Sequence, residues 1–283
     1  MTLDLQIVAE QLPEKRWFGA KGRAIANIDV YDECVLDDGP PALVLALVEV
    51  RFEDGDRQLY QLTLLNDPDG GTRDVQEDPE RLGLIGELMA HAVSIKGSNG
   101  VFVFAGPGLD PLAPPGKSVR IIDAEQSNTS VVLDERFIVK LFRKVDVGPN
   151  PDLELTRVLT TEGFEHVPPH VGEITYETET DDGPIEIDLG IAQGLAHDAV
   201  EGWDDMLRRL SDLFEAADPA DAREDFGVLI EERWDLTMID ELGDATAALH
   251  VALAREEMEP ALVPEPIEPA DLAAWADSAL QAL

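Results

Sequence analysis

Cysteine is almost absent: Cys34 stands alone in 283 residues. A lone thiol excludes an internal disulfide and any cysteine-based zinc site, and it fits a reduced cytoplasm. Basic residues are scarce as well. Six lysines and 15 arginines face 59 acidic residues, for a net charge of −38. A surface of that sign repels nucleic acid and anionic membranes, so neither is expected as a partner. Long apolar runs are missing: the longest, Ala42–Val48, is far too short to cross a bilayer. The opening MTLDLQIVAEQL is acidic and amphipathic, without a basic start or a small-residue cleavage site. Export is therefore not expected, and the cytoplasm is the expected location. Like charges at this density also repel one another, over about 30 Å at 0.01 M salt. The composition reads as adapted to a salty cytoplasm.

Apolar residues still make up 44% of the chain, enough for globular domains with their own cores, and the length allows two. Residues 1 to 15 read as a short helix with Leu5, Val8 and Leu12 on one face. Arg16–Arg23, RWFGAKGR, is a basic patch carrying Trp17 and Phe18. It reads either as a packed aromatic loop between helix and sheet or as a loop at an active-site mouth. Strands follow at Ile25–Leu36, Ala42–Phe52 and Gln58–Leu65. In the second, Leu43, Leu45 and Leu47 alternate with Val44, Ala46 and Val48, so both faces should be covered. A helix over Glu80–Ala92 and strands Val93–Lys96 and Gly100–Ala105 complete a first domain, 1–105. Residues 106–117, with four prolines and three glycines, read as a linker. Its Gly116-Lys117-Ser118 imitates the end of a phosphate-binding loop. Pro111 occupies the place of that motif's first glycine, and Pro114 and Pro115 remove N–H donors, so it is rejected as a phosphate cradle.

The densest chemistry lies in Glu125–Leu159. A strand over Arg136–Phe142 turns Phe137, Val139 and Leu141 to one face, and Ile138, Lys140 and Phe142 to the other. Lys140 is thus a cation in an apolar row, costly unless an anion meets it. Asn150-Pro151 signals a helix start, and Leu155, Val158 and Leu159 form its stripe. Glu154 flanks that stripe and is the expected anion. A strand lysine paired with a helix glutamate is how kinase-like folds hold the phosphates of ATP. The turn Gln126–Ser130, between strands Val119–Asp123 and Val131–Leu133, falls where such a fold covers those phosphates. Ser127, Asn128, Thr129 and Ser130 offer hydroxyl and amide donors there. Each feature also has a plain reading: a snorkelling lysine, a hairpin turn, an ordinary cap. Their order and spacing are more specific than any one of them.

Farther on, Gly172–Thr178 and Pro184–Ala192 pair across Asp181-Asp182-Gly183. From Gly202 the chain reads as helical, with Trp203, Leu207, Leu210 and Phe214 on one face. Asp225-Phe226-Gly227 spells a kinase Mg²⁺ motif, but it sits in a helical stretch too early in the chain and is read as coincidence. His250 reads as a packed or capping histidine with no second ligand at metal spacing. Pro260–Pro269 is a second breaker-rich segment, and Asp271–Leu283 a last amphipathic helix.

The segments EQSNTSVVLDERFIVKLFR and GPNPDLELTRVLTTEGFEHVPPHVGEI resemble the nucleotide-binding lobe of maltokinases. RWFGAKGR resembles the signature of the cap domain preceding that lobe. The resemblance implies an α+β fold similar to aminoglycoside phosphotransferases: a cap with an antiparallel sheet plus helix (1–105), a kinase-like N-lobe (118–198), and an incomplete helical C-lobe (199–283). It implies transfer of the γ-phosphoryl group of ATP to maltose or a related sugar with Mg²⁺; close relatives phosphorylate glucosamine. Lys140 would bind the α- and β-phosphates, Glu154 would orient it, and Ser127–Ser130 would cover them. The strand Ile185–Ala192 would lead into the hinge Gln193-Gly194-Leu195, whose backbone meets adenine, and Glu201-Gly202-Trp203 would open the first helix of the second lobe.

The sequence departs from that pattern at the chemistry. No His-Gly-Asp-x-His, with its catalytic base, and no following Mg²⁺-binding Asp-Phe occurs. No catalytic or metal-binding residue is therefore expected in this chain, ATP binding alone would be weak, and Mg²⁺ and sugar belong to a complete enzyme. An apolar face on residues 226 to 253 should stand open to solvent or a partner. The alternative reading is a non-catalytic regulatory or binding module, docking onto a trehalose- or glycogen-pathway enzyme or a separate catalytic chain.

Overall fold

The computed structural model describes residues 3–15, 17–68, 71–122, 128–197, 199–216, 237–254 and 262–281. They form two compact units: Met1–Thr161 with Val167–His197, and Glu162–His166 with Asp198–Leu283.

The first unit holds two antiparallel sheets. One orders β1 (Ile25–Asp37), β2 (Ala42–Phe52), β3 (Arg57–Asp67) and β10 (Lys144–Val145), with β4 (Gly71–Asp74) also on β3. β2 is covered on both faces as its alternation predicts. Val44, Ala46 and Val48 pack with Val8 of α1 (Leu5–Gln11) and with Phe18, while Leu43, Leu45 and Leu47 enter a larger core shared with the second sheet.

The second sheet runs β5 (Ser94–Lys96), β6 (Gly100–Ala105), β11 (His170–Thr180), β12 (Gly183–Gly194), β9 (Phe137–Phe142), β8 (Asn128–Leu133), β7 (Val119–Ile122). β5 and β6 thus extend this sheet, through pairs such as Ile174↔Phe104, rather than closing the first. Alternation marks a segment as a strand but says nothing of its neighbour. The segment 106–117 is anchored at Leu109 and Pro115, which are buried, while Leu112 between them is exposed. Cβ atoms added at Gly83 and Gly86 of α2 (Gly83–Ala90) would come within 2.3 Å of the Gly116 carbonyl and 2.4 Å of the Pro115 carbonyl. Only glycine permits that approach.

One carboxylate of the first sheet grips the second. Asp32 of β1, buried, accepts from the backbone N–H groups of Ser98, Asn99 and Gly100 at 2.7–2.9 Å, and from the Tyr176 hydroxyl at 2.8 Å. The β5–β6 turn is therefore wrapped around a residue of the other sheet.

In the second unit, α4 (Gly202–Ala216), α5 (Thr237–Leu253) and α6 (Pro269–Gln281) are helical. The α4 stripe forms at the expected spacing, yet it is open: Trp203 is 72% and Phe214 64% exposed. On α5, Leu242 of the expected open face is exposed, whereas Met238 and Leu249 are half-buried. Asp225-Phe226-Gly227, Leu229, Ile230 and Trp234 lie outside the described residues. No helix among the described residues is long and apolar enough to cross a membrane.

Candidate functional site

Lys140 occupies the middle of β9, paired with Ser130 of β8 on one side and Ile191 of β12 on the other. Its side chain is 22% exposed. The helix expected after Asn150 is α3 (Pro151–Thr161), and it is capped as expected. The Asn150 side-chain oxygen accepts from the Asp152 N–H at 2.9 Å, and its carbonyl accepts from the Glu154 N–H at 2.9 Å. The cap is held in turn from the sheet, because the Asn150 N–H donates to Asp188 at 2.6 Å. Burial raises the Asp188 carboxyl above its ordinary value against that hydrogen bond.

The carboxylate meeting Lys140 is Asp152, with Nζ–Oδ2 at 3.2 Å, and not Glu154. This corrects the expected pairing. Leu153, Thr156 and Leu159 form the buried face of α3, rather than the stripe Leu155, Val158 and Leu159. Successive α-helical residues turn by about 100°, so Asp152 and Glu154 lie about 200° apart around the axis. Only one of them can flank the strand. Counting Thr156 with the apolar face would have identified Asp152.

The donors expected to cover the phosphates divide. Ser127 lies outside the described residues, as does Gln126. Asn128 opens β8 and is partly exposed, whereas Thr129 and Ser130 are buried within the strand instead of forming a turn. Side chains alternate along β8, so Ser130 shares the face of Lys140 and Thr129 takes the opposite one. There the Thr129 Oγ1 accepts from Arg143 Nε at 2.7 Å and from Gln76 Nε2 at 3.2 Å.

At the expected hinge, two backbone donors are already used. The Gly194 N–H donates to Pro169 O at 2.9 Å, and the Leu195 N–H to Arg136 O at 2.8 Å. Gln193 is buried, its amide 3.5 Å from the Pro168 carbonyl. Ala196, which sequence reasoning passed over, is exposed and its N–H has no hydrogen bond among the described residues. Beyond it α4 starts at Gly202, and the Asp205 N–H donates to Glu201 O at 3.0 Å.

A second ionic group lines the sheet under α3. Glu173 lies 3.6 Å from Arg157 and 3.2 Å from His170, and the His170 contact holds its carboxyl below the ordinary range. No group of three or more His, Cys, Asp or Glu positioned for a metal ion occurs among the described residues.

Residues 12–92 match the family model of the maltokinase N-terminal cap domain. The fold as a whole is similar to solved glucosamine kinase structures. One, crystal form B, is 20% identical with a TM-score of 0.61, over 96% of this chain and 55% of that one. Another, in complex with glucosamine, ADP and inorganic phosphate, is 19% identical with a TM-score of 0.56, over 95% and 56%. Crystal form A is 22% identical with a TM-score of 0.54, over 98% and 57%. The chain thus spans little more than half the length of these structures. It carries a maltokinase-type cap on a kinase-like α+β fold.

Proposed function

We propose that this chain is the cap and nucleotide-binding part of an ATP-dependent, maltokinase-like sugar kinase, whose complete form phosphorylates maltose or a related sugar. The observation that carries the reading is Lys140, a cation on a central strand, held 3.2 Å from Asp152 at the start of the helix lying on that sheet. Phosphoryl transfer in kinase-like folds works by positioning and charge neutralisation. Lys140 would neutralise the α- and β-phosphates. Asp152, in the place expected for Glu154, would keep the ammonium on the nucleotide side. Asn128 would approach the phosphates, and the Ala196 N–H would meet adenine beside the Gln193-Gly194-Leu195 segment. Mg²⁺ would belong to a complete enzyme, where it would add to the neutralisation of phosphate charge. The cytoplasm, at high salt, suits so acidic a chain.

The test is calorimetric titration of ATP into the wild-type chain and Lys140→Ala. Weak binding by the former and loss in the latter is expected. Equal binding by both removes the nucleotide assignment.

One observation favours a second reading, a docking module without chemistry of its own. The exposed α4 stripe of Trp203, Leu207 and Phe214 is the kind of apolar face that marks a protein contact. Its occupant would be a catalytic chain or a trehalose- or glycogen-pathway enzyme. Adjoining DNA encoding His-Gly-Asp-x-His favours the kinase reading; a native gene without it favours docking.

A further inference from the structure

The nucleotide reading leaves the RWFGAKGR segment without a task. Its Trp17 places its ring 5.0 Å from the guanidinium carbon of Arg143. Arg143 is 1% exposed, so its charge is withdrawn from water. It also marks the corner where the chain leaves the second sheet at the end of β9 and enters the first at β10. The first sheet grips this corner at several atoms. The Gln61 N–H donates to the Arg143 carbonyl at 2.8 Å. Nη2 lies 3.7 Å from Asp74, whose other carboxylate oxygen is 3.9 Å from Lys15. The remaining grip reaches β8, through the 2.7 Å bond from Nε to Thr129. Asp74 alone compensates the charge poorly, because Nη2 has no hydrogen-bond partner among the described residues. The π face of Trp17 supplies the further attraction. Trp17 is held in place by Tyr60, with ring centroids 6.0 Å apart.

Thr129 pairs with Leu141, and its neighbour Ser130 pairs with Lys140. Arg143 lies three residues beyond Lys140, just past the end of β9. We propose that Trp17 is a positioning residue for the nucleotide lobe: acting through Arg143 and Thr129, it fixes β8 against β9 and so sets where Lys140 and Asn128 stand. Its consequence for ATP rests on the proposed function, whereas its consequence for β8 and β9 does not. The cap is then a strut for the nucleotide site and touches no substrate through Trp17.

The experiment compares Trp17→Leu, which keeps apolar bulk and loses the π face, with Trp17→Phe, which keeps both. Thr129→Val is the second variant should the leucine chain fail to fold. Backbone amide exchange is followed in the full chain at β8 and β9, with β6 and β11, which Trp17 does not pack against, as internal reference, alongside ATP titration. In Trp17→Leu, exchange at β8 and β9 should quicken about tenfold with the reference strands unchanged, and ATP binding should weaken about tenfold. Trp17→Phe should stay within about twofold of wild type. Thr129→Val should loosen the same two strands. Unchanged exchange at β8 and β9, or equal quickening in all four strands, overturns the inference. If the wild type binds no ATP, the nucleotide reading falls and the exchange result still decides the role of Trp17.

Discussion

The Tyr176 hydroxyl donates a 2.8 Å hydrogen bond to Asp32 across 144 positions of sequence, joining the middle of one sheet to the edge strand of the other. Three backbone N–H groups of the β5–β6 turn converge on the same carboxylate. Removing it would leave several buried donors without an acceptor. Asp32→Ala should therefore cost about 3–5 kcal/mol, as expected when a buried charged acceptor is lost. Urea unfolding measures it; a loss below about 1 kcal/mol would mean that water replaces the carboxylate freely.

Alkaline pH should weaken the first unit. Burial pushes Tyr60 up to about 12 from an ordinary 10.0 and Cys34 up to about 12 from 9.0, and burial followed by the Asp32 contact raises Tyr176 as well. Each folded-state pKa is raised, so the unfolded chain releases these protons first. The stability they contribute is complete below pH 9.0 and falls as pH climbs towards about 12. Melting temperature should decline across that window, with the tyrosinate absorbance of Tyr60 and Tyr176 appearing only on unfolding. Free titration of Tyr60 and Tyr176 in the folded protein near pH 10.0 would contradict it.

Which acid serves Lys140 is directly measurable. Asp152→Ala should weaken ATP binding about tenfold, while Glu154→Ala stays within about twofold. The pair is partly exposed, so the same Asp152 variant should change folding stability by no more than about 1 kcal/mol. The reverse ranking of the two variants would show that α3 presents its other flank when nucleotide is bound.

Salt should stabilise this chain strongly. At a net charge of −38, self-repulsion acts over a screening length that shrinks from about 10 Å at 0.1 M to about 3 Å at 1 M. Melting temperature should rise steeply from about 0.1 to about 3 M KCl, and a flat response would rule out salt adaptation.

Much of this site is visible in local pattern. Asn150-Pro151 begins α3 and Asn150 caps it, because a cap is made by atoms a few residues apart. β2 is buried on both faces and β9 carries its lysine among apolar neighbours, because alternation is a property of consecutive residues. Thr129 was less legible. A run of Ser, Asn and Thr looks like a turn, yet Arg143, fourteen positions later, draws that hydroxyl into the sheet.

Composition and periodicity alone determine the longer strands, the cap of α3, the acidic surface and the isolation of Lys140 in an apolar row. The folded chain decides the rest: Asp152 over Glu154, the second sheet over the first for β5 and β6, and the inward place of Arg143 under Trp17. The physical reason is range. Periodicity records which side of an element prefers water, whereas a partner depends on how far a helix is rotated about its axis and on which distant strand arrives alongside.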